Sequence, residues 1–155
     1  MIQRVQSVWL FLASISILLL FLFPYIHFTD LAGVSKAVKV TGLYKNTGSE
    51  IVIEQAFTFL TIGTVLVALV PTAVIFLFND RKKQLNFCYV AMVVILGYSF
   101  WLVRVAKGVI GDLQLEIENY GLGVLLPSVA ILFIVLATKG IRKDEKLVKS
   151  ADRLR

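Results

Sequence analysis

One cysteine, one histidine and three prolines stand among 155 residues. Cys88 alone can close no internal disulfide, and with only His27 for company it supports no His/Cys metal centre. Thiol oxidation of the kind that feeds a quinone needs paired cysteines, which are absent. Cys88 is expected to act as a small buried apolar residue. No serine stands in a recognisable nucleophile motif. Ionisable residues are missing from the middle of every long apolar run, where they would mark a proton or ion path. These absences argue against an enzyme. They leave no cofactor, no metal and no small-molecule substrate to assign.

What the chain does contain is hydrocarbon. Hydrophobic residues make up 58% and the mean hydropathy is +0.84, too high for a soluble domain of this length. Four apolar stretches approach or reach the roughly 18–20 residues that cross a bilayer. They run over about Val5–Tyr25, Phe57–Phe78, Phe87–Val105 and Tyr120–Thr138. The pattern predicts an all-α membrane protein, a four-transmembrane-helix bundle over residues 1–138 with a tail over 139–155. The first stretch follows one positive residue, but it is too long for a signal h-region. LFPYIHFTD offers no small-x-small cleavage site, so an uncleaved signal-anchor is expected.

Lysine and arginine set the expected orientation. Arg4, then Arg81, Lys82 and Lys83, then the seven cations of the tail make eleven on one side of a four-span chain. Lys36, Lys39, Lys45, Arg104 and Lys107 make five on the other. The positive-inside rule puts both termini in the cytoplasm. Arg81, Lys82 and Lys83 act as a retention signal and are expected to touch anionic headgroups. Aromatic residues near the span ends, among them Trp9, Phe87, Tyr89, Tyr25, Trp101 and Tyr120, fit interfacial positions.

The connections carry their own patterns. Between the first two spans, residues 35–55 alternate apolar and polar side chains around NTGS, which predicts a small extracytoplasmic β-hairpin. The third connection, with Asp112, Glu116 and Glu118, reads as mildly acidic and partly helical. The tail KGIRKDEKLVKSADRLR reads as an amphipathic cytoplasmic helix. Leu147, Ala151 and Leu154 fall at i, i+4, i+7, with Val148 beside them. Arg142, Lys143, Lys146, Lys149 and Arg153 supply its charge, and Gly140 suggests a bend just past the membrane. Three contacts compete for this tail: a lipid surface, a protein partner, and RNA on a membrane-bound ribosome. Three acids within it weigh against pure phosphate binding.

Inside the spans the notable chemistry is packing. Ser14, Ser16, Thr58, Thr61, Gly63, Thr64, Gly97, Ser99, Gly121, Gly123 and Ser128 let helices approach and hydrogen-bond. Pro71 and Pro127 predict kinks, with a cavity as one consequence.

The start MIQRVQSVWL and the end IRKDEKLVKSADRLR, with a KNTG loop between, resemble an uncharacterised family of short four-span membrane proteins from Bacteroidetes-type bacteria. The resemblance spans nearly the whole chain. It implies a bacterial inner membrane and carries no catalytic residue with it. A β-prone loop after the first helix is also similar to claudin-like bundles, as a fold-level analogy. The functional expectation is a non-catalytic subunit or accessory factor of a larger inner-membrane assembly, docking through the tail, the outer hairpin or both. The alternative is a small transporter or lipid-binding protein with a cavity near Pro71 and Pro127.

Overall fold

The computed structural model of the protein describes residues 3–30, 33–46, 48, 50–78, 80–111 and 117–152. Four long helices run up and down. They are α1 (Gln3–Leu18, extended by a 3-10 turn over Leu19–Phe21), α2 (Thr58–Ile75), α3 (Arg81–Ile110) and α4 (Leu126–Asp152). Helix α1 packs on α4 and α2, and α3 packs on the same two, so α1 and α3 lie on the diagonal. Three helical stretches, Thr58–Ile75, Arg81–Ile110 and Leu122–Leu147, are long and apolar enough to cross a membrane. The apolar stretch Val5–Phe21 is shorter.

A repeating stripe explains the packing. Buried positions recur at Gln6, Leu10, Ala13, Ile17 and Leu20 along α1 and its 3-10 turn, with Ser14 and Ser16 buried beside them. Along α3 they are Gln84, Cys88, Ala91, Ile95, Tyr98 and Leu102, and along α4 Ala130, Ile134, Ala137, Ile141 and Asp144. The spacing alternates four and three, the period that keeps one seam turned toward neighbouring helices. An alanine recurs near the middle of each seam, which brings the backbones close. Outside the seams the surface stays apolar: Phe11, Phe59, Leu66, Val93, Phe100 and Leu132 are all exposed.

Hydroxyls tie the helices together. Ser14 Oγ donates to the Ala68 carbonyl at 2.6 Å and lies 2.7 Å from Thr72 Oγ1. Thr64 Oγ1 sits 2.7 Å from the Tyr98 hydroxyl. Gly63 faces the ring of Trp101 so closely that a Cβ would fall 2.4 Å from it. Ser16 and Ser99 instead bond back to their own helices, at Leu12 and Ile95.

Between α1 and α2 stands a four-stranded antiparallel sheet where a two-stranded hairpin was expected. Its strands are β1 (Ile26–Thr29), β2 (Ser35–Lys39), β3 (Gly42–Asn46) and β4 (Ile51–Ala56), in that order. The expected first strand is two, broken at Val40 and Thr41 by a two-residue connection. Val40 is fully buried, its carbonyl accepts from Thr61 Oγ1, and the Thr41 carbonyl accepts from the Phe57 N–H. The turn is thus plugged into the top of α2. Ile26, Phe28, Val38 and Leu43 turn one face of the sheet to the core.

Other boundaries also move. Helix α3 extends past the expected third span at both ends, taking in Arg81–Lys83 and Lys107. Asp112 and Glu116 lie outside the described residues. Residues 122–124 form a 3-10 turn, and α4 begins at Leu126, so Pro127 occupies a first helical turn where no N–H donor is required and no kink results. Pro71 lies inside α2, which continues past it to Ile75. Helix α4 continues through Gly140 without a break. That glycine serves an approach instead, since a Cβ there would meet Gln6 Cγ at 3.0 Å.

Candidate functional site

Two ends of the bundle differ in chemistry. The end opposite the sheet gathers the start of α1, the turn before α3 and the last turns of α4. Gln6 Nε2 donates to Asp144 Oδ2 at 2.6 Å, and both residues are buried. Arg81 Nη1 donates to the Asp144 carbonyl at 3.3 Å. One residue of α4 is therefore held from α1 and from α3 at once. Arg142 lies with its guanidinium 5.7 Å from the centre of the Tyr89 ring and hydrogen-bonds its hydroxyl.

These contacts bring together two basic groups that are about sixty positions apart in the chain. Arg81 is half-buried, while Lys82, Lys83, Arg142, Lys143 and Lys146 are exposed beside it, with Leu147 exposed at 51%. Val148, Lys149 and Ala151 continue the helix, and of this group only its backbone is described. Arg153 and Leu154 lie outside the described residues. The apolar stripe expected on the tail is therefore described at Leu147 alone. Asp80 caps α3, its Oδ1 accepting from the Lys83 N–H at 3.2 Å and its Oδ2 lying 3.2 Å from Lys83 Nζ. That N–H, followed by the ammonium, holds the Asp80 carboxyl below its ordinary pKa.

Sequence reasoning missed the roles of Asp144 and Gln6. Asp144 reads as one charge among many in the tail. The available signal was the seam itself: 130, 134, 137 and 141 continue by three to 144.

At the sheet end, Lys36 crosses the sheet face to Glu54 Oε2 at 2.9 Å and Asp30 Oδ2 at 3.0 Å. Glu54 first, then Asp30, holds the Lys36 ammonium above its ordinary pKa. Beneath β1 lies a cavity of about 220 Å³. Its walls are Leu102, Ala106 and Ile110 of α3, Val124 of the 3-10 turn, and Pro127 and Ser128 of α4, and Tyr25 and Lys107 also line it. The cavity borders Pro127 and not Pro71. Tyr25 is buried, and among the described residues its hydroxyl has no hydrogen-bond partner. Among the described residues no cluster of three or more His, Cys, Asp or Glu is placed to hold a metal.

A family described as a domain of unknown function, DUF4293, matches residues 2–154. The chain belongs to that family. The match takes in all four helices and the sheet, so bundle, sheet and basic end are one family unit. No curated protein and no solved structure matches the chain.

Proposed function

We propose that the protein is a four-span integral membrane protein with both termini in the cytoplasm. In this reading it serves as a non-catalytic subunit or accessory factor of a larger inner-membrane assembly, docking through the projecting end of α4. The observation that carries the reading is the unbroken length of α4. Its 27 residues measure about 40 Å against a hydrocarbon core of about 30 Å. The last turns then stand beyond the lipid as a stiff post rather than lying on the surface, braced at Asp144 by Gln6 and Arg81. The first helix with its 3-10 turn reaches about 30 Å, which suffices for a fourth span. The exposed apolar belt is what a lipid-facing surface needs. Lys82, Lys83, Arg142, Lys143 and Lys146 then fall at one headgroup level, on the side that retains positive charge.

Orientation is tested with single cysteines in a Cys88→Ala background. An impermeant maleimide applied to spheroplasts should label Glu50→Cys and spare Lys143→Cys. The reverse pattern ends the proposed topology. Docking is tested by extracting the native protein in mild detergent and measuring the mass and composition of its complex. A second polypeptide in fixed ratio is expected. Leu147→Asp should release it, while Lys143→Gln with Lys146→Gln should weaken it. A complex that ignores both changes, or a protein that always runs alone, removes the docking reading.

A further inference from the structure

The two edges of the sheet differ. At β1 the outer edge is met by Tyr120, which bridges to Ile26. β4 stands last in the strand order, and among the described residues nothing pairs with its outer edge. All six residues of Ile51–Ala56 are exposed, with Ile51 at 71%, Val52 at 50% and Ile53 at 54%. Side chains alternate across a strand, so Ile51 and Ile53 stand on one face and Val52 on the other. Both faces of this edge are therefore apolar and β-branched. Such an edge is a template for a further strand, and proteins blunt it with lysine, proline or a bulge. β4 carries neither lysine nor proline. Its irregularity lies at Glu54: Ile53 pairs with Tyr44 and Gln55 with the adjacent Leu43, so Glu54 is an extra residue. Glu54 Oε2 is held by Lys36 Nζ at 2.9 Å. The regular run left open is Ile51–Ile53, and it is symmetric about Val52.

We propose that this edge pairs antiparallel with the same edge of a second copy of the chain, joining the two sheets across a two-fold axis. Symmetry selects the register. A two-fold axis through an antiparallel pair stands perpendicular to the sheet and keeps each face on its own side, so one residue must face its own copy. Centred on Val52, Ile51 of each copy meets Ile53 of the other on one face, and Val52 meets Val52 on the opposite face. Centring on Ile51 or Ile53 would set Glu50 or Glu54 against Val52 instead. In the chosen register Glu50 falls near Glu54 of the other copy, whose carboxylate Lys36 already binds. A foreign strand would have to offer apolar side chains on both of its faces, which the second copy does by identity. The contact is small: the three side chains expose at most about 300 Å² per copy, against roughly 800 Å² per partner in a standard stable interface. Backbone hydrogen bonds supply affinity in strand addition, and confinement to one bilayer raises the effective concentration of the two copies. Dimerisation rests on the membrane reading for that confinement and does not depend on docking by α4.

The experiment uses full-length protein in native membranes under mild oxidation, with single cysteines in a Cys88→Ala background. Directly opposite residues of an antiparallel pair have Cα atoms about 4.5–5.5 Å apart, within reach of a disulfide, whereas residues two places out of register lie about 8 Å apart, beyond it. Val52→Cys should therefore give a disulfide-linked dimer in about tenfold higher yield than Glu118→Cys, an exposed position on another element. Ile51→Cys and Ile53→Cys should each stay at that background when expressed alone and should crosslink when two differently tagged copies are expressed together. Ile53→Lys added to Val52→Cys should return the dimer to background, because it sets an ammonium in the apolar row of an exposed strand. The crosslink at Val52→Cys stands by itself if Ile53→Lys fails to fold. A yield at Val52→Cys no higher than at Glu118→Cys, strong crosslinking of Ile51→Cys alone, or a dimer untouched by Ile53→Lys would each overturn the proposal. So would a different polypeptide crosslinked at Val52→Cys in place of a second copy. An impermeant maleimide on spheroplasts separates this failure from that of the membrane reading. An uncrosslinked Val52→Cys that labels overturns the dimer and leaves the topology standing. One that does not label overturns the topology and the dimer with it.

Discussion

The two ends of this bundle are closed by different means. Opposite the sheet, polar side chains close it: Asp144 is gripped by Gln6 and Arg81 through directed hydrogen bonds. At the sheet, backbone closes it. The Gly121 N–H bonds to the Tyr25 carbonyl, the Gly123 N–H to the Pro24 carbonyl, and Phe57 to Thr41. A side-chain lock can be undone by one substitution that changes only chemistry. A backbone lock yields only to one that changes shape.

The comparison breaks most sharply at Asp144. Asp144→Leu leaves the buried Gln6 amide without its acceptor and should cost about 3 kcal/mol, read as a lowered unfolding midpoint in detergent. Adding Gln6→Leu should restore part of that loss, because the stranded amide goes too. Next comes the sheet end. A Cβ on Gly121 would lie 2.3 Å from the Pro24 carbonyl oxygen, a backbone atom that cannot swing aside. Gly121→Ala should cost about 2 kcal/mol in the same assay and should shift amide protection in β1. A third effect is smaller and depends on pH. Asp80 has its carboxyl pKa lowered by the Lys83 N–H, so its contribution is present above the ordinary carboxylate range and disappears as pH falls through the folded value. Wild type should therefore exceed Asp80→Ala in stability at pH 7, with the gap closing in strong acid. A gap that widens in acid would refute the cap. Smallest is Gly140→Ala. Its Cβ meets the Gln6 side chain at 3.0 Å, a contact relieved by a shift of that side chain alone, and alanine favours the helix, so the net change should stay within about 1 kcal/mol. If Gly140→Ala proves as costly as Gly121→Ala, the contrast between side-chain and backbone closure fails.

Much of the helical architecture was legible, because long apolar runs are written directly in the sequence. The four-three seam through Leu10, Ala13 and Ile17 was not, since most residues between them are apolar too. The sheet was only half legible. KAVKVTG contains no residue that demands a turn before Gly42, and the turn at Val40 and Thr41 uses no positive φ. What makes it turn is burial of Val40 against α2, a long-range contact. IHFT, at 26–29, reads as the exit of a helix until β2 pairs with it. Gly140 misled in the opposite direction: a glycine after a span suggests a bend, but this one admits Gln6. The basic residues of the tail could be read, whereas Asp144 could not be told from its solvated neighbours without α1 beside it. The cavity was expected near Pro71 and Pro127 and lies at Pro127, because its other wall is the Leu102, Ala106 and Ile110 face of α3, which no motif singles out.

The plugged turn at Val40 and Thr41 has a consequence for anyone who wishes to tag this protein. The loop at Gly48 has open space around it and a backbone at φ +88°, with exposed residues on the strands it joins. An epitope or a fluorophore-binding peptide inserted there extends outward without touching a helix. The same insertion between Val40 and Thr41 would pull the sheet off the top of α2. Of these two connections, then, one is a handle and the other is a hinge pin.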